Sequence, residues 1–308
     1  MAIRFDCDKM NKEEIANWFS GLQSTICNQL EIADGNGKFQ KDAWTRPEGG
    51  GGLSRVIING NIIEKGGVNF SAVSGPTPKK IIQALQIPQE DFFATGVSIV
   101  LHPKNPFVPI IHMNVRYFEM ESGNYWFGGG IDLTPHYINT EDARNFHSGL
   151  KSVCDQFDEN WYKKYKQWAD DYFFLSHRNE TRGVGGIFFD RLNESNTKLS
   201  KPELFHFVQQ VGLQFTQLYS PLMSTHGDTP YGDAETHWQS LRRSRYVEFN
   251  LLHDKGTKFG IDTNGRTESI LMSMPPSASW EYDYTPSKNS EEEKTQILLR
   301  KGIDWINA

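Results

Sequence analysis

Between about residues 53 and 134 the chain lays β-rich runs end to end with only short turn-forming stretches between them. The runs fall at 53–58, 61–73, 96–101, 109–119 and 124–132. Strands joined by short turns must run antiparallel, because a parallel neighbour needs a crossover of a dozen residues or more. The link Glu121-Ser122-Gly123-Asn124 makes the last two a hairpin. Helical periodicity sits in separate blocks. It covers 11–33, with Asn11 and Glu14 as a capping box and Ile15, Phe19, Leu22, Ile26 and Leu30 on one stripe. It returns at 141–175, at 200–219 behind the Ser200/Glu203 box, and after Ser290. A Gly-rich strand is expected at 183–190, and three more at 245–252, 257–263 and 267–274, the last two joined by Asn264-Gly265. Helices in blocks rather than in alternation argue against a doubly wound sheet. The fold class expected is α+β, a single large, mostly antiparallel β-sheet flanked by helices on both faces, in one domain spanning 1–308.

Composition narrows the function classes. With 39 aromatic residues among 308, the chain can fill a large core. A net charge of −6 disfavours nucleic acid as a partner, since phosphate neutralisation needs clustered Lys and Arg. No apolar run is long enough for a membrane span. Cys7, Cys27 and Cys154 are odd in number and far apart, which suits a reducing, cytoplasmic setting and excludes a disulfide framework.

Read with period two, His112, Asn114 and Arg116 share one face of a strand whose other face is Met113, Val115 and Tyr117. That polar row faces either solvent or a ligand. Ser98 and His102 share a face on the preceding run. The glycine clusters 49–52, 128–130 and 183–186 lack the lysine of a phosphate loop, so a nucleotide cradle is not expected. Glycine within strands is either a bulge or bend, or room for close approach by a flat ligand. Arg116, Arg178, Arg182, Arg242, Arg243, Arg245 and Arg266 either pair with the chain's own acids or grip an acidic small molecule. Asp190 closes the apolar run Ile187-Phe188-Phe189 as a strand-end cap or as a working acid. The histidines show no metal-ligand spacing, so a site built from His102, His112, His147 and His177 would have to assemble through tertiary folding.

These segments closely resemble oxygen-dependent coproporphyrinogen III oxidases. The matching stretches are G-G-G-G-L-S-R-V (49–56), V-N-F-S (68–71), H-P-K-N-P (102–106), H-M-N-V-R (112–116), Y-W-F-G-G-G-I-D-L-T-P (125–135), H-R-N-E-T-R-G-V-G-G-I-F-F-D (177–190), R-R-S-R-Y-V-E-F-N-L-L (242–252) and G-R-T-E-S-I-L-M-S-M-P-P (265–276). They follow in order over nearly the whole chain. The resemblance implies oxidative decarboxylation of two propionates of coproporphyrinogen III to vinyls, giving protoporphyrinogen IX, with O2 as co-substrate and no organic cofactor. It implies His112 and Asp190 as catalytic residues. Substrate contacts would come from Ser98, Asn114, Val115, Arg116, Asn264, Gly265 and Arg266. It further implies a divalent metal on His102, His112, His147 and His177, and a homodimer formed through about 246–281. Arg191 departs from the pattern, standing where such proteins usually carry a second Asp. Two other readings stay open at this point. A non-catalytic tetrapyrrole carrier would need the arginines and glycines but neither Asp190 nor His112. A metal oxygenase acting on another acid would need a 2-His-1-carboxylate set.

Overall fold

The structure, a computed structural model, describes residues 10–77, 82, 88–262 and 265–308. Helix α1 (Lys12–Asp34) opens as expected: Glu14 N–H donates to Asn11 Oδ1 at 2.8 Å, and Asn11 N–H donates back to Glu14 Oε2. The strands are β1 (Gln40–Thr45), β2 (Gly50–Ile58), β3 (Ile63–Pro76), β4 (Asp91–Pro103), β5 (Ile110–Met120) and β6 (Tyr125–Thr134). They form an antiparallel meander, and β9 (Gly185–Leu192) pairs antiparallel with β6 to complete a seven-stranded sheet ordered β1-β2-β3-β4-β5-β6-β9. Strands β7 (Phe174–Leu175) and β8 (Glu180–Thr181) make a small separate pair.

One face of the sheet is the hydrophobic core. Val97, Ile99, Leu101, Ile111, Met113, Val115, Tyr117, Ile131 and Phe189 point into it. They pack against α1, α2 (Thr140–Asp155), α3 (Trp161–Tyr172) and α4 (Lys201–His226). The opposite face is only partly roofed. Tyr246, on α5 (Asp233–Leu252), packs on Val100 of β4 and Ile110 of β5. The segment through α6 (Lys255–Asp262) and α7 (Thr267–Leu271) lies over β2 and β3. There Ser269 Oγ meets Ser54 Oγ at 3.0 Å, and the Ser269 carbonyl accepts from Asn69 Nδ2 at 2.9 Å. Helix α8 (Glu291–Leu298) starts on Ser290 as expected.

The α+β class and the antiparallel sheet with helices on both faces hold. The strands expected at 245–252, 257–263 and 267–274 are not found among the described residues, because 245–252, 257–262 and 267–271 are helical and 272–274 form a turn. On α5 the buried residues Trp238, Arg242, Tyr246, Phe249 and Asn250 recur every three or four positions, a period that the β-branched and aromatic character of 245–252 hides in a short window. Gly265 N–H bonds to the Gly260 carbonyl at 2.8 Å, the i-to-i+5 closure of a helix end rather than a hairpin. Asn264 lies outside the described residues. The expected helix 141–175 is two helices, parted where the N–H groups of Phe157 and Asp158 both bond the Cys154 carbonyl.

Asp34 ties α1 to the sheet. Its buried carboxylate accepts N–H bonds from Gly37, Asn61, Ile62 and Ile63 at 2.6–2.9 Å. Burial alone would raise its pKa, but the four donors outweigh it and hold the group below the ordinary carboxylate value. Asp34→Asn turns an amide N–H2 toward two of those donors and is expected to cost about 2 kcal/mol in urea unfolding. A loss under about 0.5 kcal/mol would show that water replaces the carboxylate.

Candidate active site

Antiparallel pairing places cross-strand partners on the same face, so the register fixes what the open face displays. One row across the sheet reads Gly52, Ser71, Gly96, Arg116 and Gly128. The next reads Ser54, Asn69, Ser98, Asn114, Gly130 and Phe188, and the third Val56, Gly67, Val100, His112, Asp132 and Gly186. Six of these seventeen residues are glycine, and side chains from elsewhere in the chain lie close over some of them, Trp44 at Gly52 and Met272 at Gly67. At Gly128 the missing side chain makes room for a charged pair, which a Cβ would displace. A Cβ there would come within 2.4 Å of Asp190 Oδ1 and 2.9 Å of Arg116 Nε, which lie flat across the strand.

Arg116 is the centre of this floor. Its Nη2 donates to Asp190 Oδ1 at 2.8 Å and its Nη1 to Asn114 Oδ1 at 2.7 Å, and Arg116 and Asp190 are both about one-third exposed. His112, Asn114 and Arg116 share the face as expected, Ser98 sits beside Asn114, and Asp190 is brought to them from β9. Val115 points the other way, fully buried in the core, so only its backbone can serve the site. Arg266 stands at the far edge, paired with Asp42 of β1, and Gly265 lies in the exposed turn before it.

Behind Arg116 runs a second charged chain. His112 Nδ1 lies 2.8 Å from Asp132 Oδ1, and Arg182 holds the same carboxylate through Nη2 at 2.7 Å to both oxygens and Nε at 3.2 Å. Asp132 and Arg182 are buried, and the guanidinium is caged by the rings of Phe173, Tyr246 and Phe249 at 4.3–4.7 Å. Burial would raise the Asp132 pKa, but Arg182 first and His112 next bring it below the ordinary value. An ionised Asp132 can only accept, so His112 Nδ1 donates and Nε2 is left for a ligand. Asp132 was not singled out from sequence, and Arg182, named there among arginines that pair with acids or grip a ligand, takes the first of those roles. The available signal was the alternation Gly128, Gly130, Asp132, which puts Asp132 on the His112 face.

A third cluster gathers around Glu248 of α5. Arg178 donates to it through two nitrogens, and His177 Nε2, Trp280 Nε1 and Arg245 Nη1 approach within 2.8–3.2 Å. Burial opposes ionisation of Glu248, but Arg178, His177 and Trp280 bring its pKa down to about 2.

The four histidines expected to share a metal do not converge. His102 is fully buried beneath α5, its Nε2 on the Ser273 carbonyl at 2.8 Å. His112 is engaged with Asp132. His147 lies in the helix layer, bonded to Tyr162 Oη and the Val184 carbonyl at 3.0 Å each and stacked on Trp305. His177 lies between Glu248 and His253. Among the described residues no group of three or more His, Cys, Asp or Glu is arranged to hold a metal ion, so these residues do not fit that site.

The face thus carries arginine–carboxylate pairs and a His–Asp pair on a glycine-rich floor, and comparison with known proteins gives its family. A family model described as coproporphyrinogen III oxidase matches residues 14–305. Two proteins named oxygen-dependent coproporphyrinogen-III oxidase, from Prochlorococcus marinus strains MIT 9301 and MIT 9312, are 46% and 47% identical to the chain. Each alignment covers 97% of this chain and 94% of the relative. With every element of the sheet and the floor inside the matched span, the chain belongs to the coproporphyrinogen III oxidase family.

Proposed function

We propose that the glycine-floored face is where this chain carries out the reaction of its family, the oxygen-dependent decarboxylation of two propionates of coproporphyrinogen III to give protoporphyrinogen IX. For each propionate the balance is propionate, O2 and one proton giving vinyl, CO2 and H2O2. The macrocycle is itself electron-rich, so the proposal needs no organic cofactor and leaves the protein to position groups, stabilise charge and move protons.

Arg116 takes a propionate carboxylate. That draws the guanidinium from Asp190 and frees this acid to accept from pyrrole N–H groups, with Ser98 and Asn114 beside them. Arg266, at the β1 edge, takes a second carboxylate. His112, its tautomer set by Asp132, presents Nε2 for proton exchange as the side chain reacts. The observation that carries this reading is the Arg116–Asp190 pair laid over Gly128 next to the His112–Asp132–Arg182 chain. A pure carrier would need neither Asp190 nor His112.

The test is purified protein with coproporphyrinogen III in the dark, in air and under nitrogen. Protoporphyrinogen IX is expected only in air, and binding without product in air would sink the proposal. Arg116→Ala is expected to raise KM roughly 10- to 100-fold, the loss of a hydrogen-bonded charge contact. Asp190→Ala is expected to lower kcat about 100-fold with a smaller change in KM. Unchanged kinetics in both would remove them from the site.

The same reading includes a homodimer through about 246–281, supported by the exposed Leu251, Leu252 and Ile261 on that stretch. A single-chain mass by light scattering would overturn it. A cytoplasmic location is also proposed, supported by the free, buried Cys27 and Cys154, and cell fractionation tests it. Among the described residues no helix is long and apolar enough to cross a membrane.

A further inference from the structure

Strand β1 lies at one edge of the sheet, and all of its residues are exposed except Trp44. The register pairs Trp44 with Gly52, which puts it on the open face in the row of Ser71, Gly96 and Arg116. Its indole folds inward. A Cβ at Gly52 would come within 2.5 Å of Trp44 Cζ2 and 2.7 Å of Trp44 Cε2, the carbon bonded to Nε1. The N–H edge of the ring is therefore turned over β2 rather than out to solvent. Trp44 Nε1 is shielded from water and has no hydrogen-bond partner among the described residues. An indole nitrogen only donates, and a buried donor without an acceptor is a rare feature of a native fold that calls for an explanation.

Two further observations mark this end of the face. Asp42 stands two residues before Trp44, on the same face and about 7 Å along the strand. It pairs with Arg266, and its own side chain is half exposed. In the next row Asn69, opposite Ser54, uses its Nδ2 on the Ser269 carbonyl while its Oδ1 is buried without a partner. A donor and an acceptor are thus both left open in neighbouring rows, beside a guanidinium whose carboxylate partner is within reach of solvent.

We infer that the Trp44 indole N–H is a substrate-binding donor, sharing with Arg266 the propionate carboxylate held at the β1 edge. The inference rests on the proposed tetrapyrrole reading. A carboxylate has about four lone-pair sites, so it accepts from a guanidinium fork and from an indole at once. Arg266 exchanges Asp42 for the propionate, as Arg116 exchanges Asp190, and the ligand oxygen meets the N–H that the unliganded chain leaves open. Gly52 belongs to the same device, since a side chain there would drive the ring off the strand. The indole over β2 is three strands from Arg116 on β5. At ordinary spacing that is about 14 Å, a separation that two carboxylates on one macrocycle can bridge. The contact is to the substrate's edge, so it serves capture and orientation rather than turnover.

Replacing Trp44 by 3-benzothienylalanine keeps the shape of the indole and puts sulfur where the N–H was. The donor has no partner to lose in the unliganded chain, so the melting temperature is expected to stay within about 2 °C. Trp44→Phe removes the N–H with a smaller ring. The readouts are fluorescence titration with oxidised coproporphyrin III, which cannot react, and steady-state turnover of coproporphyrinogen III. Both replacements are expected to raise Kd and KM about tenfold, with kcat within about twofold. Arg266→Ala provides the cross-check. If one carboxylate takes both donors, the sulfur replacement should cost less than about threefold in Kd on the Arg266→Ala background. A Kd for the sulfur replacement within about twofold of the unmodified chain overturns the inference, as does a tenfold loss that persists undiminished on the Arg266→Ala background. If the unmodified chain binds coproporphyrin III but turns nothing over, the activity reading fails while the Kd comparison still decides the role of Trp44.

Discussion

Asp132→Ala is expected to cost both stability and activity. In the folded chain the Asp132 carboxylate is the charge partner of a guanidinium with about 2% of its side chain exposed. Truncation leaves Arg182 with the Asn250 oxygen at 3.4 Å and three aromatic faces, which soften a stranded charge without neutralising it. Removing one partner of a buried ion pair costs about 3–5 kcal/mol, and in a chain of this size the melting temperature should fall by roughly 5–15 °C. The same truncation frees the His112 ring to rotate and to change tautomer. Asp132→Asn separates the two effects. Its amide oxygen can still accept from Arg182, but its N–H2 group, facing His112 Nδ1, would have to donate. Nδ1 then becomes an acceptor and the proton moves to Nε2, the atom left for the ligand. The Asn variant should therefore keep more of its stability than the Ala variant and still lose about 100-fold or more in kcat, by the logic of a histidine held in the wrong tautomer. Retention of kcat within about threefold in Asp132→Asn would show that His112 needs no orientation by its neighbour.

How far the sequence foretold this site depends on the range of the interaction. Period two within one strand put His112, Asn114 and Arg116 on one face, and the register bears that out, because alternation is a local property of extended backbone. Glycine within strands left open a bend or room for a flat ligand, and in the structure the chain's own side chains take part of that room, Trp44 at Gly52 and the Arg116–Asp190 pair at Gly128. The Asp132 contact to His112 spans a hairpin and depends on register, which residue types alone do not specify. The histidine grouping failed for a related reason. Four residues of one type carry no information about sheet faces, and the fold sends His147 to the helix layer while roofing His102 beneath Tyr246. The strand reading of 245–252 failed because its aromatic and β-branched residues bury equally well on a helix. Tyr246 and Phe249 do so against Arg182, a contact that only the assembled fold provides.

Those same buried histidines give the second large effect, a stability that falls steeply as the solution is acidified. His102, His136 and His147 are all fully buried. Burial pushes the pKa of His102 and of His147 down to about 3 and that of His136 well below its usual value. Nearby cations add to this: Arg243, Lys65 and Arg182 act on His102, Arg243 and Arg242 on His136, and Lys166 on His147. The neutral rings are well served, since His102, His136 and His147 can each donate one ring N–H to a backbone carbonyl. A second proton on His102 Nδ1 or His136 Nε2 would be buried with no acceptor among the described residues. In the unfolded chain the same rings titrate near 6.5. Their contribution is therefore complete above about pH 6.5 and is lost as pH falls from there toward about 3, because unfolding takes up protons that the folded state refuses. Once the unfolded rings are charged, near pH 5, the uptake approaches three protons and the slope about 4 kcal/mol per pH unit. Below about pH 4.5 the depressed carboxylates Asp34, Asp132 and Glu248 act in the same direction. Urea unfolding at pH 7.5, 6.5, 5.5 and 4.5, with proton uptake measured by calorimetry in two buffers, checks both the slope and the count. His147→Gln keeps a donor for the Val184 carbonyl and should remove one proton from the uptake. A free energy flat to within about 1 kcal/mol between pH 7 and 5 would mean that the folded chain admits the protons, and that these imidazoles are not the closed sites their burial describes.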